Sequence, residues 1–410
     1  MGAPRSVVIV GTGQGGCEVA AALRAGGYAG TVTMVGEEPG VPYERPPLSK
    51  ALLAGEVAPE QITLRPEAYF RDRQIELLES RRAMRIDRPG RRLELDDGTL
   101  LGFEHLVLAT GARNRTLELE GGELDGVLGL RTLADSLELR QRLEQAQSIV
   151  IVGAGFIGLE VASVARRAGR EVTVLELAER AMTRTTTVPT AAFFARAHRE
   201  HGVKLEFRSA VRTLLGSGGR VSAVEDSDGG RHAAQVVLIA VGVQPNDELA
   251  ADAGQPVAAG VLVDRRLLSG DPAISAIGDC ARFPCALWES PVLLESVQNA
   301  ADQAHAVAVR ILGGDAPYAT VPWFWSDQAG LRLQIAGRSA DAEQVVVCGD
   351  PEADRFSALC FRAGRLCGVE SVGRPGDHVA ARRLLASDPG LSPAAAAAAD
   401  FDLKAYARSR

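Results

Sequence analysis

Apolar, β-branched runs punctuate the chain, and two of them share the same sequel. The runs at 7–10 (VVIV) and 149–152 (IVIV) each pass directly into a glycine-rich turn and then into an alanine-rich stretch. That order predicts strand, turn and helix, with a strand near 6–11, a helix near 15–26 and a second strand near 31–36. A proline-rich loop occupies 39–47, after which Leu48, Ser49 and Lys50 resume helical character. Buried strands ending in glycine turns are predicted at 105–112 (HLVLATGA), 236–246 (VVLIAVGVQPN) and 274–281 (ISAIGDCA). Connecting helices are predicted at 135–145 and 296–312, the latter ended by Gly313 and Gly314. Residues 113–239 therefore read as a second unit that duplicates the first. Beyond 315 the pattern changes to alternating runs such as LRLQIAG and QVVVCG, and the alanines of 394–399 read as a frayed or surface helix.

The turns after the two opening strands carry chemistry. Gly11, Gly13 and Gly16 stand at GxGxxG spacing, as do Gly153, Gly155 and Gly158. In this motif the first glycine makes the tight turn, the second lets the backbone approach a pyrophosphate, and the third allows close helix–strand packing. The free N–H groups of the helix start then favour the negative charge. Two such motifs predict two bound dinucleotides. Glu176 ends the strand EVTVLE, where a carboxylate accepts hydrogen bonds from an adenosine ribose and repels a 2′-phosphate, which favours NAD over NADP. In the first unit Gly36 stands at the equivalent position, and either Glu37 or Glu38 is placed to reach a ribose.

Composition narrows the class. The 410 residues suffice for about three domains. A net charge of −7 argues against a nucleic-acid partner. No apolar run approaches the roughly 20 residues of a spanning helix, and the run at 7–10 leads into the glycine turn without a signal-peptide pattern, so a cytoplasmic protein without a membrane partner is expected. Six cysteines include no CxxC pair, which leaves neither zinc-ribbon nor thioredoxin-like spacing; inert thiols are expected. The six histidines form no metal-spaced cluster, and His198 and His201, one turn apart, are expected on a solvated helix face.

GTGQGG, YERPPLSK, LATGA, GAGFIGLE, AIGDCA and PWFWSDQ together resemble the pyridine-nucleotide disulfide oxidoreductase superfamily. More narrowly, the chain is similar along essentially its whole length to the putidaredoxin-reductase-like NADH-dependent ferredoxin reductases of bacterial oxygenase systems. The resemblance implies an α/β fold of glutathione-reductase-like architecture, with two Rossmann-like dinucleotide-binding domains and a C-terminal α+β domain. An FAD-binding domain is expected at 1–112 and 240–315, an NAD-binding domain at 113–239, and the C-terminal domain at 316–410. FAD and NADH are the implied cofactors. Gly13, Glu37, Lys50, Ala83, Arg131, Asp279 and Val297 are the implied FAD contacts, and Asp279 has its own rationale as an acceptor for ribityl hydroxyls.

Glutathione-reductase-like relatives place a CxxxxC pair on the first helix, whereas this chain has only Cys17 there, so reduction through a cysteine pair is not expected. The implied reaction is hydride transfer from NADH to FAD, then two single-electron transfers to a two-iron ferredoxin that feeds a haem-thiolate monooxygenase or a ring-hydroxylating oxygenase. Phe156 resembles a residue that shields the flavin, Lys50 and Glu160 resemble an ion pair beside the flavin ring, and Glu295 is a candidate contact to the nicotinamide amide. Two alternatives share many of these motifs: a flavin-dependent NADH oxidase or peroxidase, and a signalling or structural flavoprotein similar to apoptosis-inducing factor. In PWFWSDQ, period-two alternation sends Trp323 and Trp325 to one side of a strand and Phe324 to the other. Trp325 is the expected element between flavin and an arginine-rich docking surface.

Overall fold

The computed structural model describes all residues except 1–2, 289, 341 and 388–389. The chain forms two compact units, one from 1–44, 60–113 and 244–322, the other from 45–59, 114–243 and 323–410.

The first unit is built on a five-stranded sheet whose central strand, Ser6–Val10, pairs in parallel with Thr31–Val35 and His105–Leu108. Ile75–Leu78 and Ile274–Ala276 form its edges. Val7, Val8, Ile9 and Val10 are all buried, so both faces of that strand are covered, as a continuous rather than alternating apolar run requires. The helices Gln14–Ala25 and Val297–Ile311 pack on each other.

The second unit repeats the plan. Its parallel sheet runs Lys204–Phe207, Glu171–Glu176, Ser148–Val152, Val236–Ile239, Val127–Leu128, with the fingerprint strand again in the centre. The duplication extends to an element the sequence pattern did not reveal, a three-stranded antiparallel sheet inserted before the fourth-position strand. In the first unit it is Ala83–Asp87, Arg92–Leu95 and Leu100–Gly102; in the second, Val211–Ser217, Arg220–Asp226 and Arg231–Ala233. These strands are half exposed, so they lack the continuous apolar runs that marked the parallel sheets. The copies differ in their last strand. The first unit takes it from 274–276, well after the second fingerprint, whereas the second takes it from 127–128, just before its own.

The second unit also holds a five-stranded antiparallel sheet of Trp323–Gln328, Leu331–Gly337, Arg365–Val372, Arg355–Arg362 and Gln344–Asp350, in that spatial order. The helix Pro375–Ser387 packs on this sheet and buries Ala380, Ala381 and Leu384 against Leu359, Phe361 and Val369. Of the alanine run 394–399, only the start is helical, in the short helix Pro393–Ala396 capped by Ser392 and anchored by the buried Ala396.

His198 departs from the expectation of a solvated face. On the helix Val188–Glu200 it continues the stripe of Ala191 and Phe194, at i−7 and i−4, and is fully buried. Those apolar residues were the available signal, and they outweigh the proximity of His201.

His378, on the helix Pro375–Ser387, is also buried; its ring meets Trp323 edge-on at 5.3 Å and neither ring nitrogen has a hydrogen-bond partner among the described residues. Burial, with Arg382 nearby, lowers its pKa from 6.5 to about 4. Between those values the unfolded chain binds a proton that the folded chain refuses, so this residue's contribution to stability falls as pH drops through 6.5 toward 4. His378→Phe keeps the ring and removes the titration. At pH 5 the variant is expected to gain about 1 kcal/mol relative to its standing against wild type at pH 8. Urea unfolding at both pH values measures this, and an unchanged difference would contradict it.

Candidate functional site

The two glycine turns have the same geometry, and each glycine is required for a different reason. Gly11 and Gly153 have φ of +112° and +107°, and a Cβ on either would lie 2.0 Å from the carbonyl oxygen of Ala109 or 2.5 Å from that of Ala240. At Gly16 and Gly158 a Cβ would meet the carbonyl oxygens of Gly11 and Gly153 at 1.9 and 2.2 Å. Gly13 and Gly155, by contrast, have ordinary φ of −74° and −78°, and a Cβ there would meet nothing within 4 Å. Among the described residues nothing excludes a side chain at the middle position. Both glycines are the N-cap residues of helices with no acidic residue in the first turn, so each faces open space with free N–H groups behind it. This cradle fits a dinucleotide pyrophosphate.

In the first unit, Gly15 brings the turn against Ile277 and Ala300, with its Cβ position 3.2 and 3.7 Å from their side chains. Asp279 lies there, half-buried in the one-turn helix Gly278–Cys280. The loop is pinned by Gly278 N–H donating to Gln303 Oε1 at 2.7 Å. Val297 opens the adjoining helix, whose N-cap Ser296 accepts from Asn299 N–H at 3.1 Å, and Glu295 stands exposed just before it. The structure therefore brings Gly11, Gly13, Gly16, Asp279 and Val297 to one end of this unit. Glu37 is at the C-terminal end of its strand, exposed and paired with Arg82 at 3.1 Å, next to Ala83, which begins the inserted sheet. Glu38 accepts instead from the Tyr43 hydroxyl.

In the second unit, the register Val152↔Leu175 matches Val10↔Val35, so Glu176 and Gly36 are structural equivalents. The Glu176 carboxylate is held by two backbone donors, Ala154 N–H at 2.7 Å inside the glycine turn and Ala178 N–H at 2.8 Å. It is thus fixed at the rim of the cradle with lone pairs to spare.

The helix Phe156–Arg167 that leaves this turn meets the strand Trp323–Gln328 through matched spacings. Four helical residues rise about 6 Å and two strand residues about 6.8 Å. Accordingly Phe156 packs against Phe324, ring centres 4.5 Å apart and planes tilted by 47°, while Glu160, one turn on, accepts from the Ser326 hydroxyl at 2.6 Å. The odd-numbered residues take the opposite face. Trp323 and Trp325 lie 5.7 Å apart there, and the Arg382 guanidinium covers Trp323 at 4.6 Å.

Lys50 reaches the same carboxylate. Pro46 and Pro47 open the short helix Pro46–Ser49, and Ser136 Oγ holds the Leu48 carbonyl at 2.7 Å. This places Ser49 Oγ and Lys50 Nζ each 2.6 Å from Glu160 Oε2. Glu160 is 5% exposed and Lys50 21%. Arg131 also belongs to this unit; its carbonyl accepts from Arg45 and its N–H donates to Asp135 of the adjoining helix cap.

Thiol chemistry is poorly supported. The Cys17 side chain is buried, and burial, reinforced by Glu18, pushes its pKa up to about 12. Burial raises the other five thiols too, and none of the six is in a disulfide. Such thiols carry little thiolate at neutral pH. Sequence reasoning missed Ser49, Ser326, Gln328 and His198 as partners linked to the Lys50–Glu160 pair, because they come from three segments far apart in sequence from Glu160.

The glycine geometry gives a paired test. Gly155→Val should leave the folded unit intact yet weaken NADH binding at least about tenfold, since its side chain enters the cradle. Gly158→Val should instead destabilise the protein by about 2–4 kcal/mol, because its side chain collides with backbone. Thermal melts and NADH titrations of both variants separate the effects; unaltered NADH affinity in Gly155→Val would remove the cradle from the nucleotide site.

Comparison with known proteins agrees with this geometry. Residues 5–304 match the pyridine nucleotide-disulphide oxidoreductase family and residues 323–407 match the reductase C-terminal family. The chain is 47% identical to rhodocoxin reductase of Rhodococcus erythropolis over 97% of this chain and 93% of that protein. The solved ferredoxin reductase for the CYP199A2 system of Rhodopseudomonas palustris superposes with a TM-score of 0.96 at 46% identity, covering 98% of this chain and 100% of the other. The reductase in the covalent putidaredoxin reductase–putidaredoxin complex gives 0.95 at 36%, covering 99% and 98%. Two glycine cradles on duplicated parallel sheets, followed by an antiparallel C-terminal sheet, are thus accounted for together: the chain belongs to the pyridine nucleotide-disulphide oxidoreductase family.

Proposed function

We propose that this chain is an NADH-dependent ferredoxin reductase that carries FAD and supplies single electrons to a small two-iron ferredoxin serving an oxygenase. The observation that carries the reading is the pair of cradles, each with a middle glycine that only a ligand explains. Likeness over nearly the full length to reductases of rhodocoxin, of putidaredoxin and of a CYP199A2 system supports it. In this reading the flavin domain comprises 1–112 and 240–315, the NAD domain 113–239 and the C-terminal domain 316–410.

Within the first unit, Gly11, Gly13 and Gly16 admit the FAD pyrophosphate, Glu37 addresses the adenosine ribose, and Asp279 accepts from ribityl hydroxyls beside Val297. In this reading Ala83 and Arg131 are further FAD contacts. A bound flavin supplies acceptance of a hydride and its release as two single electrons. Within the second unit, Gly153, Gly155 and Gly158 admit the NADH pyrophosphate and Glu176 binds the adenosine ribose. Phe156, Glu160 and Lys50 serve the hydride step, Phe156 as a shielding ring that yields to nicotinamide; Glu295 contacts the nicotinamide amide. Trp325 marks the electron exit on the C-terminal domain, beside the arginine-capped Trp323. The buried Cys17, far from thiolate character, counts against an oxidase or peroxidase that works through a reactive cysteine.

Glu176→Ala should lose about 1–3 kcal/mol of NADH binding and relax discrimination against NADPH. Steady-state kinetics with both nucleotides check this, and a wild-type enzyme that used NADPH as efficiently as NADH would refute the role. The partner is tested with a two-iron ferredoxin and with ferricyanide, which needs no docking. Trp325→Ala is expected to slow ferredoxin reduction while sparing the dye reaction, and ferredoxin turnover should weaken as salt rises, since charge complementarity speeds encounter. Equal loss with both acceptors would refute the exit, and failure of the wild-type protein to reduce any two-iron ferredoxin would refute the function.

A further inference from the structure

The Lys50–Glu160 pair is one end of a longer buried chain. Ser326 Oγ–H donates to Glu160 Oε1 at 2.6 Å, and Gln328 Nε2 donates to Ser326 Oγ at 3.2 Å. Gln328 Oε1 in turn faces His198 Nε2 at 2.9 Å. Ser326, Gln328 and His198 are 0%, 2% and 0% exposed. An amide oxygen can only accept, so His198 carries its proton on Nε2, and His198 Nδ1, which has no partner among the described residues, is left as a bare lone pair. Every donor in the chain then points the same way, from His198 through Gln328 and Ser326 to Glu160, where Ser49 and Lys50 also converge.

This polarity matters in two respects. Aligned hydrogen bonds polarise one another in a low-dielectric interior, so the far end of the chain influences the carboxylate more than its distance suggests. The amide of Gln328 also interrupts any proton wire, so the chain can orient and polarise but not conduct. Buried polar chains cost desolvation that an apolar packing of the same volume avoids. The reacting pair at one end supplies a reason for this one.

We propose that Ser326, Gln328 and His198 are positioning residues for the hydride step, holding the Glu160 carboxylate, and through it the Lys50 ammonium, in a single orientation. The inference rests on the reading of Lys50 and Glu160 given above. It adds three side chains, none of which that reading places in contact with nicotinamide or flavin.

Four variants of the FAD-loaded protein test it. Lys50→Met tests the pair itself, and Ser326→Ala and His198→Phe break the chain near to and far from Glu160. His198→Gln retains a donor near the Nε2 position and serves as the rescue. Stopped-flow bleaching of the flavin by NADH, NADH affinity, flavin content and flavin midpoint potential are measured for each. Ser326→Ala and His198→Phe are expected to slow bleaching per bound flavin by about five- to tenfold, with NADH affinity within about twofold of wild type. Their midpoint potentials should shift in the negative direction, because a less firmly held ammonium stabilises the reduced, more anionic flavin less. His198→Gln should recover most of both effects. Should His198→Phe fail to fold, Ser326→Ala decides the matter. Slowing in Lys50→Met alone, with wild-type rates and potentials in the chain variants, would overturn the positioning role while leaving the pair's role standing. Wild-type bleaching in Lys50→Met would overturn both.

Discussion

The second unit converges on one buried carboxylate. Glu160 accepts from Ser326 on one oxygen and from Ser49 and Lys50 on the other, so its side chain ties the 46–50 segment and the C-terminal strand 323–328 to the helix that leaves the glycine turn. A buried carboxylate demands such partners, because an unpaired one costs several kcal/mol on the order of magnitude of ion desolvation. Lys50 meets that demand, and the Phe156–Phe324 contact lies one turn along the same helix–strand seam. The ion pair is weak evidence for stability in its own right, and its value lies in fixing geometry at the end of the nucleotide cradle.

The glycine turns show how the same backbone serves structure and binding at different positions. Outer glycines are explained entirely by the protein: their hydrogen atoms lie against carbonyl oxygens of neighbouring chain segments. The middle glycines are not. Gly13 and Gly155 occupy unstrained conformations with open space before them, so their lack of a side chain finds its explanation outside the polypeptide. That this arrangement occurs twice, each time on the central strand of a five-stranded parallel sheet, is what makes a protein handling two dinucleotides the natural reading.

Legibility in the sequence followed the range of the underlying interactions. The parallel strands were readable because continuous burial writes continuous apolar runs, as in VVIV and IVIV, and the first helices because glycine and alanine spacing is local. The side assignment of Trp323, Phe324 and Trp325 was equally readable, since it needs only the period of a strand. The inserted sheets 83–102 and 211–233 were not, because half-exposed strands write no continuous apolar run. His198 was misread by comparing it with His201 alone, although Phe194 one turn earlier marked its face as buried. The Lys50–Glu160 pair came from resemblance. No spacing rule joins residues 110 positions apart, and the chain through Ser326 and Gln328 emerged only when the fold brought its segments together.

The central claim is that Glu160 organises the hydride-transfer end of a flavin-dependent reductase. The most direct measurement is anaerobic stopped-flow reduction of the FAD-loaded protein by NADH, comparing wild type with Glu160→Gln. This variant preserves shape while turning one acceptor oxygen into an NH2 donor and removing the charge that holds Lys50. The account predicts flavin bleaching in the wild type and a rate at least about tenfold lower in the variant at saturating NADH, with flavin content maintained. Bleaching at the wild-type rate in Glu160→Gln would contradict it.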